Sequence, residues 1–155
     1  TLPHLIEREP RLHYLIVGGA SAEGDWGPRL RAQAADLGLA KRVHFLGTVG
    51  HAELHRILSA ADIFVLSTRN EGWANVILEA MACGLPVAAY PVTGPIDVLG
   101  DSAAGVMHKD LQMACLAALH IDRATARAHA EKFSWRAATE CCAARATRTP
   151  RAVCQ

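Results

Sequence analysis

Short apolar runs alternate with helix-forming segments along most of this 155-residue chain. Each run is bounded by glycine, proline or polar residues, as expected of buried parallel strands. The predicted strands cover residues 12–19, 42–49, 62–68 and 85–92, and the helices between them cover residues 28–40, 51–61 and 74–84. Such strand–helix–strand units pair into a parallel sheet with helices on both faces, because their crossovers are right-handed. The pattern therefore predicts an α/β fold with a Rossmann-like parallel sheet flanked by helices.

The pattern becomes weaker after Gly94. We expect a short strand at 103–108, followed by helices at 110–120, 122–133 and 134–141. The last stretch, "CCAARATRTPRAVCQ", lacks apolar periodicity and is predicted to be a disordered tail. These observations predict one domain over residues 1–140 and a tail over residues 141–155.

Composition excludes several classes of function. Sixteen Lys and Arg residues face fifteen Asp and Glu residues, so the net charge of +1 does not predict a nucleic-acid-binding surface. No stretch approaches the roughly 18 consecutive apolar residues of a membrane span. An odd number of cysteines, five, without CxxC spacing favours reduced thiols and a cytoplasmic location. His51 and His55 share a helix face but lack the glutamate of an HExxH motif, so no metal site is expected.

Ligands of open parallel sheets bind beyond the carboxyl ends of the strands, where loops lead into helices. Glycine occurs in each of the four predicted loops at that edge, which are "GGASAEGDWG", "GTVGH", "STRNEGWAN" and "PVTGPID". The first, "GGASAEG", matches neither the G-x-G-x-x-G pattern nor a P-loop, so a plain connection competes with phosphate binding. The third loop, "STRNEGWAN", gives a stronger indication of phosphate binding.

The stretch "RNEGWANVILEAMACGLPV" contains two carboxylates, Glu71 and Glu79, eight positions apart. Residues 72–76 are predicted to form the start of a helix, whose free N–H groups attract anions such as a diphosphate. Eight helical residues span about 12 Å. Two hydroxyl-binding carboxylates around a phosphate-binding turn would suit a ligand with sugar, diphosphate and ribose in line.

Each carboxylate also has a plainer interpretation. Glu71 could be a solvated loop acid, and Glu79 a surface residue or a partner of the helix dipole. Because apolar residues flank Glu79 on both sides in sequence, we expect it to be buried with a polar partner.

These residues carry a resemblance to a known family. The stretch "RNEGWANVILEAMACGLPVAAYPVTG" resembles the Glu–seven residues–Glu signature of retaining glycosyltransferases with the GT-B fold. "RVHFLGTVGHAELHRILSAADIFVLST" is similar to the segment that precedes this signature. The resemblance extends from about residue 12 to about residue 139 and concerns one half of the GT-B fold, the C-terminal, donor-binding domain. It implies that the domain over 1–140 binds a nucleotide-diphosphate sugar, the donor substrate, without a metal ion or another cofactor.

The resemblance also implies roles for individual residues. Glu71, the candidate catalytic residue, would contact hydroxyls of the transferred sugar, and Glu79 would bind the ribose hydroxyls. The turn between them would hold the sugar and the diphosphate, and the loop after the second strand would lie against the base. The residues concerned are Gly72, Trp73, Ala74, Asn75 and Val76 in the turn, and Gly47, Thr48 and Val49 in the loop.

Two departures from the family pattern lower the activity expected of this chain. Relatives open the domain with a strand and a loop whose Arg and Lys clamp the diphosphate, and this chain begins after that point. The N-terminal acceptor-binding domain is also missing, so the isolated chain is expected to be inactive. The alternatives are a non-catalytic nucleotide-binding or assembly module that works with a partner chain, and an inert fragment. The resemblance leaves open the nucleotide, the sugar, the acceptor and peripheral membrane association of the full enzyme.

Four residues have weaker or mixed indications of a role. Trp73 could shield the sugar or pack on the core, and His51 is favoured as a solvated helix-start residue. Asp97 lies where relatives carry a Glu near the donor loop, whereas Cys83 is expected to be a small buried residue.

Overall fold

The computed structural model describes residues 1–20, 24–69 and 75–133. The chain divides into two compact units, Thr1–Ala60 and Ala61–Gln155, and each is described by itself. The predicted helix at 134–141 and the predicted tail at 141–155 lie outside the described residues. The domain boundary at residue 140 therefore stays a prediction.

The first unit contains a two-stranded parallel sheet. Its elements are α1 (Leu2–Arg8), β1 (Tyr14–Val17), α2 (Gly27–Asp36), β2 (Val43–Gly47) and α3 (His51–Ala60). Exposure alternates along β1, as expected of a strand with one face on the core. Three buried residues form that core, and partly buried side chains from both strands and α1 pack on it: Ala34, Leu39 and Val43, then Leu2, Ile6, Tyr14, Ile16 and Phe45.

The second unit contains a three-stranded parallel sheet in the order β3-β4-β5. Its elements are β3 (Phe64–Leu66), α4 (Asn75–Ala82), β4 (Val87–Ala89), α5 (Pro95–Leu99), β5 (Gly105–Met107), α6 (Leu111–Ala118) and α7 (Arg123–Ala130), followed by a 3-10 turn (Glu131–Phe133). Every residue of the middle strand β4 is buried. Its apolar side chains join those of α4, α5 and α7 in one core cluster: Ile77, Met81, Val87, Ala89, Val98, Leu99, Ala104 and Ala126.

The predicted fold class and alternation are confirmed, with shorter strands than expected. The described strands have three to five residues each, because the predicted runs included the loops at either end. None of the helices within the described ranges has the length and apolar character needed to cross a membrane.

One short helix was not expected. The segment around Pro95 was predicted to be a loop, but it forms α5. Gly94 turns the chain at φ +78°, and Pro95 follows at the first helical position, where its ring already sets the helical φ. The Asp97 carboxylate then accepts a hydrogen bond from the Gly94 N–H at 3.4 Å. Glycine and proline predict a turn at this position. The hydrogen bond that the Asp97 carboxylate accepts from the Gly94 N–H stabilises the start of a helix there instead.

Gly105 provides a test of the packing in the second unit. A Cβ atom at Gly105 would lie 2.6 Å from the Val87 carbonyl oxygen and 3.1 Å from Leu99 Cδ2. Because both neighbours are buried, Gly105→Ala should lower the free energy of unfolding by about 1–3 kcal/mol in a denaturant titration. Gly50→Ala is the control, since no heavy atom lies within 4 Å of the added methyl group.

The control should lose at most about 1 kcal/mol, because its only expected cost arises from its position just before α3. A loss at Gly105 no larger than the loss at Gly50 would contradict this account of the core.

Candidate functional site

In the first unit, the loops after β1 and β2 touch at the carboxyl ends of the strands. The Gly18 N–H donates a hydrogen bond to the Gly47 carbonyl oxygen at 2.9 Å, and both residues have positive φ, +133° and +69°. A Cβ atom at Gly19 would lie only 2.7 Å from Thr48 Oγ1. Glycine therefore permits this close approach, because any larger residue at position 19 would push Thr48 away.

The predicted base-binding loop belongs to this contact. Gly47 and Val49 are half-buried, whereas Thr48 is exposed. The backbone at Gly47 is thus held by a hydrogen bond from the preceding loop, while the side chain of Thr48 stays accessible. The contact of this loop with the base stays a prediction.

In the second unit, α4 begins at Asn75 and presents two contrasting faces. Ile77, Ala80 and Met81 are completely buried, whereas Asn75 and Glu79 are exposed. Asn75 and Glu79 are four positions apart and therefore share one face of the helix. The helix thus combines a core face with a polar face that begins at its N-terminus.

The expected burial of Glu79 is wrong. Its neighbours in sequence are apolar, but a helical residue shares its face with residues three and four positions away. For Glu79 the residues four positions away are Asn75, which is exposed, and Cys83, which is half-buried. The Glu79 carboxylate is therefore available to solvent or to a ligand without any desolvation in the core.

Four of the predicted site residues lie outside the described residues: Glu71, Gly72, Trp73 and Ala74. Their roles stay predictions. Of the predicted turn, Asn75 and Val76 are described, and they form the first two residues of α4. The first four N–H groups of a helix have no partner within the helix, so this end of α4 can donate to an anion.

The C-terminal end of α4 is fixed by a glycine turn and by Arg123. Gly84 has φ +79°, and the Leu85 N–H donates to the Ala80 carbonyl at 3.0 Å. The Arg123 guanidinium donates to two carbonyl oxygens, that of Cys83 at 3.1 Å and that of Ala61 at 2.5 Å. A guanidinium at a helix C-terminus also interacts favourably with the helix dipole. These contacts set the direction in which α4 presents its other end.

Charged residues also follow the other strands at the carboxyl edge of the second unit. Arg69 follows β3, and its guanidinium carbon lies 5.2 Å from the centre of the Tyr90 ring, just after β4. His108 follows β5, and its Nδ1 accepts a hydrogen bond from the Asp110 N–H at 3.0 Å. Sequence reasoning did not single out Arg69, although it stands two positions before Glu71. No sequence signal pointed to Arg123, because its partners are 40 and 62 positions away.

The remaining candidate residues are either exposed to solvent or engaged in structural hydrogen bonds. His51 is exposed at the start of α3, as expected, and the Asp97 carboxylate is engaged by the Gly94 N–H. Cys83 is half-buried rather than buried, and its carbonyl oxygen accepts a hydrogen bond from Arg123.

Burial, with a smaller contribution from Asp110, raises the pKa of the Cys115 thiol to about 11. Cys115 is therefore protonated at neutral pH and unsuited to act as a nucleophile.

Comparison with known sequences relates the chain to glycosyltransferases. The profile of the family Glycosyl transferases group 1 matches residues 1–137. The chain is 35 % identical over 141 residues to the D-inositol 3-phosphate glycosyltransferase of Stackebrandtia nassauensis, over 83 % of this chain and 32 % of that enzyme. It is 34 % identical over 152 residues to the enzyme of the same name from Saccharomonospora viridis, over 88 % of this chain and 35 % of that enzyme. The chain thus spans about a third of the length of these relatives.

Solved structures share the fold. Sucrose-phosphate synthase from Thermosynechococcus elongatus superposes with a TM-score of 0.73 at 25 % identity, over 97 % of this chain and 42 % of that one. Anabaena Alr3699/HepE, in complex with UDP, superposes with a TM-score of 0.68 at 24 % identity, over 94 % of this chain and 45 % of that one. These likenesses confirm the predicted Rossmann-like half of a GT-B fold.

Removing the Arg123 guanidinium should destabilise the second unit. Arg123→Met keeps the aliphatic stem but leaves two part-buried carbonyl oxygens without their charged donor, which costs about 1.5–3 kcal/mol. Arg127→Met is the matched control on the same helix, because Arg127 is exposed and lies 4.0 Å from Glu131. The control should change stability by less than about 1 kcal/mol. Denaturant midpoints that are the same for both variants would contradict the anchoring role of Arg123.

Proposed function

The chain belongs to the Glycosyl transferases group 1 family, and we propose that it binds the nucleotide-diphosphate-sugar donor of a retaining hexosyl transfer. Transfer itself would take place in a longer architecture that adds an acceptor-binding domain. The length comparison supports this division, because the chain spans only 32 % and 35 % of two glycosyltransferase relatives. The isolated chain would bind the donor without transferring its sugar.

The observation that carries the proposal is the polar face of α4. A helix that packs Ile77 and Met81 fully into the core nonetheless presents Asn75 and Glu79, its first and fifth residues, to the outside. One helical turn, about 5–6 Å, separates these two residues along the axis. A diphosphate at the helix start and a hydroxyl-bearing ribose near Glu79 would fit that spacing.

The proposed binding mode uses both ends of the donor. Glu79 would accept hydrogen bonds from the ribose hydroxyls, and Glu71 would accept them from the sugar. Backbone N–H groups of residues 72–76 would hold the diphosphate, and Gly47, Thr48 and Val49 would contact the base. As the glycosidic bond breaks, negative charge grows on the leaving diphosphate, and the helix dipole of α4 would stabilise it.

A second candidate is a non-catalytic nucleotide-binding module that works with a partner chain. The same length comparison favours it, because a separate protein could supply the acceptor-binding surface. Full transferase activity after the chain is mixed with such a domain would support the first proposal. Nucleotide binding without transfer in the mixture would support the second.

Replacing Glu79 tests the ribose contact. Glu79→Gln removes the charge but keeps the size of the side chain, and loss of charge-assisted hydrogen bonds should weaken UDP binding about tenfold or more. Isothermal titration calorimetry with UDP, GDP and ADP measures the effect on whichever nucleotide binds. Glu131→Gln is the control, because this carboxylate is exposed and its ion pair among the described residues is the 4.0 Å contact with Arg127. Equal affinities of the Glu79 variant and the parent chain would contradict the ribose role.

Replacing Glu71 distinguishes its proposed role in binding the sugar from the proposed role of Glu79 in binding the ribose. Glu71→Gln should weaken binding of UDP-glucose and leave binding of UDP unchanged, because Glu71 is proposed to contact only the transferred sugar. Calorimetric titration of the variant with both ligands makes the comparison. A similar loss of affinity for UDP and UDP-glucose would overturn this division of roles.

A further inference from the structure

Arg69 is a cation at the carboxyl edge of the second unit that the predicted site does not use. It lies three positions after the end of β3 and six positions before the start of α4. Leu66 and Ala89, the last residues of β3 and β4, are partners in parallel register. Arg69 and Tyr90 therefore follow neighbouring strands at one edge, the edge at which parallel sheets bind their ligands.

Tyr90 holds the guanidinium in place from one side. The Arg69 guanidinium carbon lies over the half-buried Tyr90 ring, 5.2 Å from its centre. A cation–π contact uses the charge of the guanidinium and not its N–H groups, so the contact with Tyr90 is compatible with hydrogen bonds from Arg69 to a ligand. Such a pre-oriented fork matches the oxygens of a phosphate, to which arginine donates two parallel hydrogen bonds.

No carboxylate neutralises Arg69 within the described ranges. The ion pairs found there join His4 to Glu7 and Arg127 to Glu131. Two acidic side chains near this edge have other donors: Asp97 accepts from the Gly94 N–H, and Asp110 accepts from the Gln112 N–H. As far as the described residues go, the exposed positive charge of Arg69 thus has no carboxylate partner and can serve an anion.

We infer that Arg69 binds the diphosphate of the donor nucleotide and that Tyr90 orients its guanidinium for this contact. The inference rests on the proposed function and adds a cation to the anion-binding end of α4. Arg69 would neutralise part of the diphosphate charge from the loop after β3, while the N–H groups of α4 donate from the helix. The charge would serve both binding of the donor and departure of the nucleotide diphosphate.

The alternative is that Arg69 only covers the Tyr90 ring. A covering role would affect the fold of the edge and would change the binding of every ligand alike. A phosphate-binding role would affect only ligands that carry the diphosphate. The ratio of the affinities for UDP and uridine therefore distinguishes the two roles, since the base and ribose are common to both ligands.

The test is calorimetric titration of the 155-residue chain and its Arg69→Gln variant with UDP and with uridine. We expect UDP binding to weaken about tenfold and uridine binding to stay unchanged, so that the ratio falls by the same factor. Arg69→Lys should recover part of the loss, because it restores the charge but not the fork. Tyr90→Leu should lower the ratio less than Arg69→Gln does.

Arg31→Gln is the matched control. Arg31 is also exposed and stacked on an aromatic ring, with its guanidinium carbon 4.2 Å from the centre of Phe45, but it belongs to α2 in the first unit. Its replacement should leave the ratio unchanged. An unchanged ratio in Arg69→Gln, or an equal fall in Arg31→Gln, would overturn the role of Arg69 alone. If the parent chain binds none of UDP, GDP and ADP, the proposed function fails, and the inference fails with it.

Discussion

The site depends on how α4 packs. Ile77, Ala80 and Met81 are fully buried, and this apolar stripe holds one face of the helix on the core of the second unit. Because a helix is rigid, burial of that stripe also determines where its opposite face and its N-terminus point. Asn75 and Glu79 are exposed for this reason, and α4 follows β3 at the carboxyl side of the sheet.

The same helix is held at its other end by the turn that follows it and by Arg123, which is distant in sequence. Gly84 permits the turn after α4, and Arg123 donates to the carbonyl of Cys83. Adjustment at this end would change the direction of the polar face. We therefore expect stability and ligand binding to be coupled through α4, because Arg123 holds the end of the helix opposite to the predicted site.

Much of the fold was predictable, because alternating apolar runs and helical patterns are local features of the sequence. The exposure of Glu79 was not predicted, because its neighbours in sequence are apolar, whereas the residues that share its helix face are those three and four positions away. Helix α5 was missed because a Gly–Pro pair signals a turn, and the hydrogen bond from Gly94 to Asp97 is visible only in three dimensions. Arg123 could not be found from sequence, since its contacts bridge 40 and 62 positions.

The central claim is the proposal that a nucleotide binds at the carboxyl edge of the parallel sheet in the second unit, at the N-terminus of α4. NMR titration of the isotopically labelled chain with UDP, GDP and ADP tests it most directly, because each backbone amide reports separately. The account predicts that a binding nucleotide shifts the amide signals of Asn75, Val76 and Glu79, while those of α1 stay unchanged. Shifts confined to α1, or no shifts with any of the three nucleotides at millimolar concentration, would contradict it.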